Sequence, residues 1–249
     1  MNDPEKKKLY KVFRILAAVL MLLLAAALIL CMFDLPGLFS PDHPGANTVA
    51  ERYIENGIEE TGAVNFVAGM ILDYRAFDTF GESNVLFAAT ICVMILLLMG
   101  DSKQEIEPKI IKQDVILKTV AGFAVPFILM FGFYVILNGH LSPGGGFSGG
   151  AIVGSGLILA SVAFGFEKME RFINRKSAAV ITFVSLLVYC LAKSYSFFTG
   201  ANHLESGIPL GTPGNILSSG LILILNICVG MVVACTMYSF FSLMRRGKI

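Results

Sequence analysis

Three stretches of this sequence carry side chains able to do chemistry. The first, Asp73-Tyr-Arg-Ala-Phe-Asp-Thr-Phe-Gly-Glu82, gathers three carboxylates and Arg75 directly ahead of an apolar run. Carboxylates so close to hydrocarbon are costly unless paired or hydrated, and Asp78 and Glu82 fall one helical turn apart. That spacing suits a cation or proton path. It also suits a capping box, Thr79-x-x-Glu82, that would start the next helix, with Arg75 neutralising Asp73 or Asp78.

The second stretch is Asn138-Gly-His-Leu-Ser-Pro-Gly-Gly-Gly-Phe-Ser-Gly-Gly150. A glycine-rich loop can cradle phosphate when it opens a helix and has Lys or Arg beside it. Here no basic residue is present and the Gly-Lys-Ser/Thr ending is missing, so nucleotide binding is excluded. Gly146, Gly150 and Gly154 instead recur every four residues, the small-xxx-small pattern that lets another helix approach at backbone distance. His140, at the rim of this loop, either titrates near neutral pH or hydrogen-bonds the glycine turn. The third is Lys193, inside an apolar run. It either snorkels to the outer interface or faces the bundle interior beside a carboxylate from a partner and marks an ion route. His203 and Glu205, in the loop that follows, read as exposed turn residues.

The elements that position these residues follow from composition. The 249 residues are 55% hydrophobic and 15% charged, with a mean hydropathy of +0.74. Soluble domains carry about 25% charged residues, so this chain cannot coat itself for water. A net charge of +1 excludes a nucleic-acid binder driven by bulk charge. The five cysteines (Cys31, Cys92, Cys190, Cys228, Cys235) lie in apolar runs and read as small hydrophobes. No metal site, redox motif, catalytic set or cofactor box is present in the sequence, so no cofactor is expected in this chain.

A span takes about 20 apolar residues. Six runs qualify: 15–33, 81–99, 119–137 with Pro126 as a kink point, 147–166, 178–198 and 216–241, the last being the longest. The expected fold is therefore an all-α polytopic membrane protein with six transmembrane helices, two and then four. Thr61–Leu72 is apolar but too short to cross, and it reads as a re-entrant or interfacial helix before the second span. The division is a two-span region over 1–100, a cytoplasmic linker over 101–114 (DSKQEIEPKIIKQD) and a four-span domain over 115–249. Sixteen of the nineteen basic residues fall on one face of this layout, the exceptions being Arg52, Arg75 and Lys193. The positive-inside rule then places both termini in the cytoplasm, and the first run is a retained anchor with no cleavage site after Phe33.

The loop Gly139-His-Leu-Ser-Pro-Gly-Gly-Gly-Phe-Ser-Gly-Gly150, with four spans over about residues 112–249, resembles the B subunit of Mrp-type multisubunit sodium/proton antiporters. It is similar also to the counterpart in energy-converting membrane-bound hydrogenases. The first half resembles the C-terminal tail of the antiporter's large A subunit, a small separate subunit in the hydrogenases. Thr61-Gly-Ala-Val-Asn65 and Asp73–Glu82 carry that likeness, with Ala76 where the pattern has Gly and Phe80 where it has Leu. The resemblance implies a cell-membrane subunit whose partners are the other subunits of such a complex and the lipid bilayer, with Na+ and H+ as transported ions. Asp78, Glu82, Lys193, His140 and Asp73 are then candidates for an ion path, and Gly146, Gly150 and Gly154 for helix packing. A structural subunit that handles no ion is the rival reading. The resemblance leaves open whether the assembly is an antiporter or a hydrogenase-type oxidoreductase, whose metal cofactors would sit in other subunits.

Overall fold

The computed structural model describes residues 4–33, 48–99, 114–202 and 206–245. All regular structure in them is helical: α1 (Pro4–Phe33), α2 (Thr48–Glu55), α3 (Gly57–Thr61), α4 (Phe66–Gly69), a π-turn (Met70–Tyr74), α5 (Ala76–Met99), α6 (Val115–Leu137), α7 (Gly146–Phe164), α8 (Phe166–Phe172), α9 (Arg175–Ala201) and α10 (Ile222–Arg245). Among the described residues, six of these (α1, α5, α6, α7, α9 and α10) are long and apolar enough to cross a membrane. The chain is an all-α, multi-pass membrane protein. Most of the linker, His203 and Glu205 lie outside the described residues.

Two compact units divide the chain, Met1–Arg52 and Tyr53–Ile249. The first holds α1, a 30-residue helix whose described side chains, from Lys11 to Phe33, are all exposed. In the second, α7 packs between α6 and α10, while α5 and α9 both lie against α10. Side chains close the starts of two spans: Asp114 accepts from the Ile116 amide at 2.8 Å and Asn174 from that of Ser177 at 2.7 Å. Such caps satisfy amides that the first helical turn leaves without partners. α6 continues through Pro126. One core cluster joins Ala63 and Leu72 to Tyr189, Ile222, Leu225, Cys228 and Val229, so residues on both sides of the charged linker share a core.

Three expectations from the sequence are corrected. The last span begins at Ile222, not Ile216, and at 24 residues it is shorter than α9 with 27. Residues 216–221 are drawn into a turn because serines compete locally with the helix for backbone groups. Ser218 donates to Asn215 O at 2.6 Å, and Ser219, at φ 68°, donates to Gly62 O at 2.8 Å. Second, Thr61–Leu72 is not one helix. Gly62, at φ 68° and with Leu210 O 3.2 Å from where a Cβ would stand, breaks it. The chain restarts at Phe66 under an Asn65 cap and runs through the π-turn almost directly into α5.

The third correction is the capping box. α5 already starts at Ala76, so Thr79 and Glu82 lie within the helix. The Thr79 hydroxyl donates back to Ile71 O at 2.7 Å instead of closing a helix start.

Candidate functional site

Lys193 faces the interior. It is 4% exposed, and its Nζ lies 2.7 Å from Asp73 Oδ1, 120 residues earlier in the chain. α9 presents Ala178, Thr182, Ser185, Leu186, Tyr189 and Lys193 as one buried face, spaced by three and four residues as a helix requires. One turn before Lys193, the Tyr189 hydroxyl donates to Ala76 O at 2.8 Å, and its ring stacks on Phe80 with centroids 5.3 Å apart. Lys193 and Tyr189 thus grip the two ends of the junction between the π-turn and α5. The π-turn itself is closed by Arg75 N donating to Met70 O at 2.8 Å. An inserted residue of this kind re-aims side chains and recurs at functional sites. Here it carries Asp73.

Asp78 and Glu82 do not join that pair. Both are exposed on α5, one turn apart as the sequence predicts. Asp78 is held by Arg75, whose Nε donates at 2.7 Å, in an ion pair that is itself exposed. Arg75 therefore neutralises Asp78 and leaves Asp73 to Lys193. Gly81, between the two carboxylates, would have no neighbour within 4 Å even if a Cβ were added. This face of a spanning helix is left open by the described residues.

The glycine-rich loop is a junction. His140 is fully buried, not at a rim. Its Nε2 lies 3.2 Å from Asn215 O, and its carbonyl accepts from Asn65 N at 3.0 Å. Asn65, marked in the sequence only as part of the stretch that carries the likeness, holds this junction. Its Oδ1 caps α4, while its Nδ2 donates to Gly139 O and Ser142 O, each at 2.9 Å. One amide side chain thus starts a helix in the first half and clamps the loop of the second. Asn226 was missed in the sequence. Its Oδ1 accepts from Gly146 N at 2.9 Å and so caps α7. An amide near the start of the apolar α10 was the available signal, because intramembrane polar residues seek partners.

Gly146, Gly150 and Gly154 face α10 of the same chain. A Cβ on Gly150 would stand 2.6 Å from Gly230 O, and one on Gly146 would stand 2.6 Å from Asn226 O. The opposite face of α7 is as close to α6: a Cβ on Gly149 would meet Ile136 Cγ1 at 2.5 Å and Gly132 O at 2.9 Å. Among the described residues, no group of three or more His, Cys, Asp or Glu side chains is placed to hold a metal ion.

Two family models match separate stretches of the chain. A family model described as a domain related to the MnhB subunit of Na+/H+ antiporter matches residues 116–239, and the MbhE model, for the E subunit of MBH, matches residues 18–106. An uncharacterised protein of Methanocaldococcus jannaschii is 29% identical over 235 residues, 84% of this chain and 87% of its own. A putative antiporter subunit mnhB2 of Staphylococcus aureus is 48% identical over 58 residues, 23% of this chain and 41% of that protein. Among solved structures, a chain of the membrane-bound sulfane sulfur reductase, an archaeal respiratory membrane complex, superposes with a TM-score of 0.66 at 30% identity. That match covers 94% of this chain and 98% of the other. A chain of the Mrp complex from Dietzia sp. shares the fold, with a TM-score of 0.62 at 19% identity over 94% of this chain and 26% of that one. With an MnhB-related domain behind an MbhE-like domain and six spanning helices among the described residues to carry them, the chain is a subunit of a multisubunit antiporter-type membrane complex.

Proposed function

We propose that the chain helps form a sodium or proton path in a cation/proton antiporter module, at an interface between its α5 and a neighbouring subunit. The observation that carries this reading is the open face of α5. Glu82 sits about 9 Å along the helix from its first residue, exposed, with no hydrogen bond or ion pair among the described residues. A charge at that depth is too costly to face lipid, so a partner or water must meet it. Asp78 stands one turn above, and the bare Gly81 between them lets a partner helix come close. Asp73, paired with Lys193 just ahead of α5, anchors the start of this helix, and His140 holds the glycine-rich loop.

The test is flux in vesicles normalised to assembled complex. Glu82→Gln keeps shape and removes charge. It is expected to assemble normally and to lose most sodium-dependent transport, by about tenfold for each ~1.4 kcal/mol of lost stabilisation. Asp78→Asn frees Arg75 as well and should act in the same direction. Full activity in both variants would favour the rival reading, a purely structural subunit, which the glycine packing and the Asn65 clamp support.

The same proposal places the protein in the plasma membrane with both termini in the cytoplasm, on the strength of the basic-residue asymmetry. Single cysteines introduced at either terminus, in a background lacking the five native ones, should resist impermeant labelling from outside. One at Ser142 should accept it. The reverse pattern would overturn the orientation.

A further inference from the structure

A cavity of about 200 Å³ opens between the second half of α5, the first turns of α9 and the last turns of α10. Phe87, Ile91 and Met94 of α5 and Leu243 of α10 make its wall largely hydrocarbon. Thr90 and Thr236 line it too. Each spends its hydroxyl proton on its own helix, on Leu86 O at 2.9 Å and on Val232 O at 2.6 Å, which leaves neither free to donate to a ligand. The space exceeds the roughly 150 Å³ at which an apolar void takes up a hydrocarbon guest instead of water.

One end of this lining is charged. Arg175, the first residue of α9, contributes to it, and its Nε is buried with no hydrogen-bond partner among the described residues. A buried guanidinium N–H without an acceptor is expensive, so an acceptor must come from beyond the described residues. Glu170 lies in the same lining. Lys168, Arg171 and Lys176 flank these residues in sequence and, against Glu167 and Glu170, leave the segment 167–176 net positive. An apolar chamber between spanning helices, closed at the helix end by an unsatisfied guanidinium, repeats the order of groups across one leaflet.

We propose that the cavity is a phospholipid site. An acyl chain lies against Phe87, Ile91 and Met94, and a phosphate oxygen accepts from Arg175 Nε. The planar guanidinium suits phosphate, to which it donates charge-assisted hydrogen bonds. This function is separate from the ion path on the other face of α5 and does not depend on it.

The intact complex, in nanodiscs of phosphatidylglycerol doped with a phosphatidylglycerol bearing a diazirine on its acyl chain, tests the assignment. On irradiation, label should appear on the peptide containing Phe87–Met94. Arg175→Gln should lower that labelling by about tenfold, the affinity equivalent of one lost charge-assisted hydrogen bond. Ala179→Trp, which fills the cavity from an exposed wall position, should lower it similarly without touching the charge. Labelling unchanged by both variants would overturn the proposal. So would capture of a partner subunit, instead of lipid, by a photoreactive side chain placed at Met94.

Discussion

Asp73→Asn should cost the assembled protein about 3 kcal/mol, the lower end of the range for breaking a buried ion pair. It leaves the Lys193 ammonium, 4% exposed, without its counter-charge. The lower end applies because the Asp73 side chain is 37% exposed and water softens its part of the interaction. Lys193→Met should be milder, since the charge it strands has that access to water. Replacing both, Asp73→Leu with Lys193→Met, should recover most of the lost stability, because apolar pairs of similar volume often match or exceed a buried ion pair. Thermal melts of the complex give the three values. Flux in the double variant separates the roles: an assembled but silent complex makes the pair part of the ion path, and an assembled, active one makes it a fastener.

Gly150→Leu should prevent α7 from seating on α10. Even the first carbon of the new side chain would stand 2.6 Å from Gly230 O and 2.8 Å from Val233 Cβ. Both are close to the backbone and cannot rotate away. Overpacking typically costs about 1–3 kcal/mol, and backbone obstruction puts this site at the upper end. Recovery of intact complex should fall severalfold. Gly154→Ala serves as the graded control, because its new carbon would meet Met237 Cβ at 3.1 Å and Ala234 O at 3.4 Å, distances that a small shift relieves. A Gly150→Leu complex that assembles fully yet loses transport would overturn the packing assignment.

Much of this was legible from local pattern. Six apolar runs became six spanning helices, and the four-residue glycine period marked the face that meets α10, although nothing local said that the partner helix lay in the same chain. Pattern failed where a distant group outcompeted a local rule. Thr79 and Glu82 have the spacing of a cap, but Tyr189 and Lys193 of α9 hold the chain just ahead of them and α5 begins at Ala76. Ile216–Leu221 is apolar enough to continue a helix, yet Ser219 reaches Gly62, 157 residues away, and the helix waits until Ile222. Lys193 was recognised as a residue with two fates. Its partner was invisible because 120 residues separate it from Asp73. Asn65 was equally unreadable, since its importance lies in two carbonyls more than seventy residues downstream.

The Asn65 clamp and the Asp73–Lys193 pair tie the stretch that matches MbhE to the stretch that matches the MnhB domain. Because one polypeptide carries both, these groups meet as tethered neighbours, at effective concentrations of about millimolar, and their pairing escapes most of the freedom lost when separate molecules associate. Synthesis is matched as well. Every ribosome that completes the chain delivers the two pieces one to one, so neither accumulates alone in the bilayer with a buried lysine unpaired or a glycine loop unclamped.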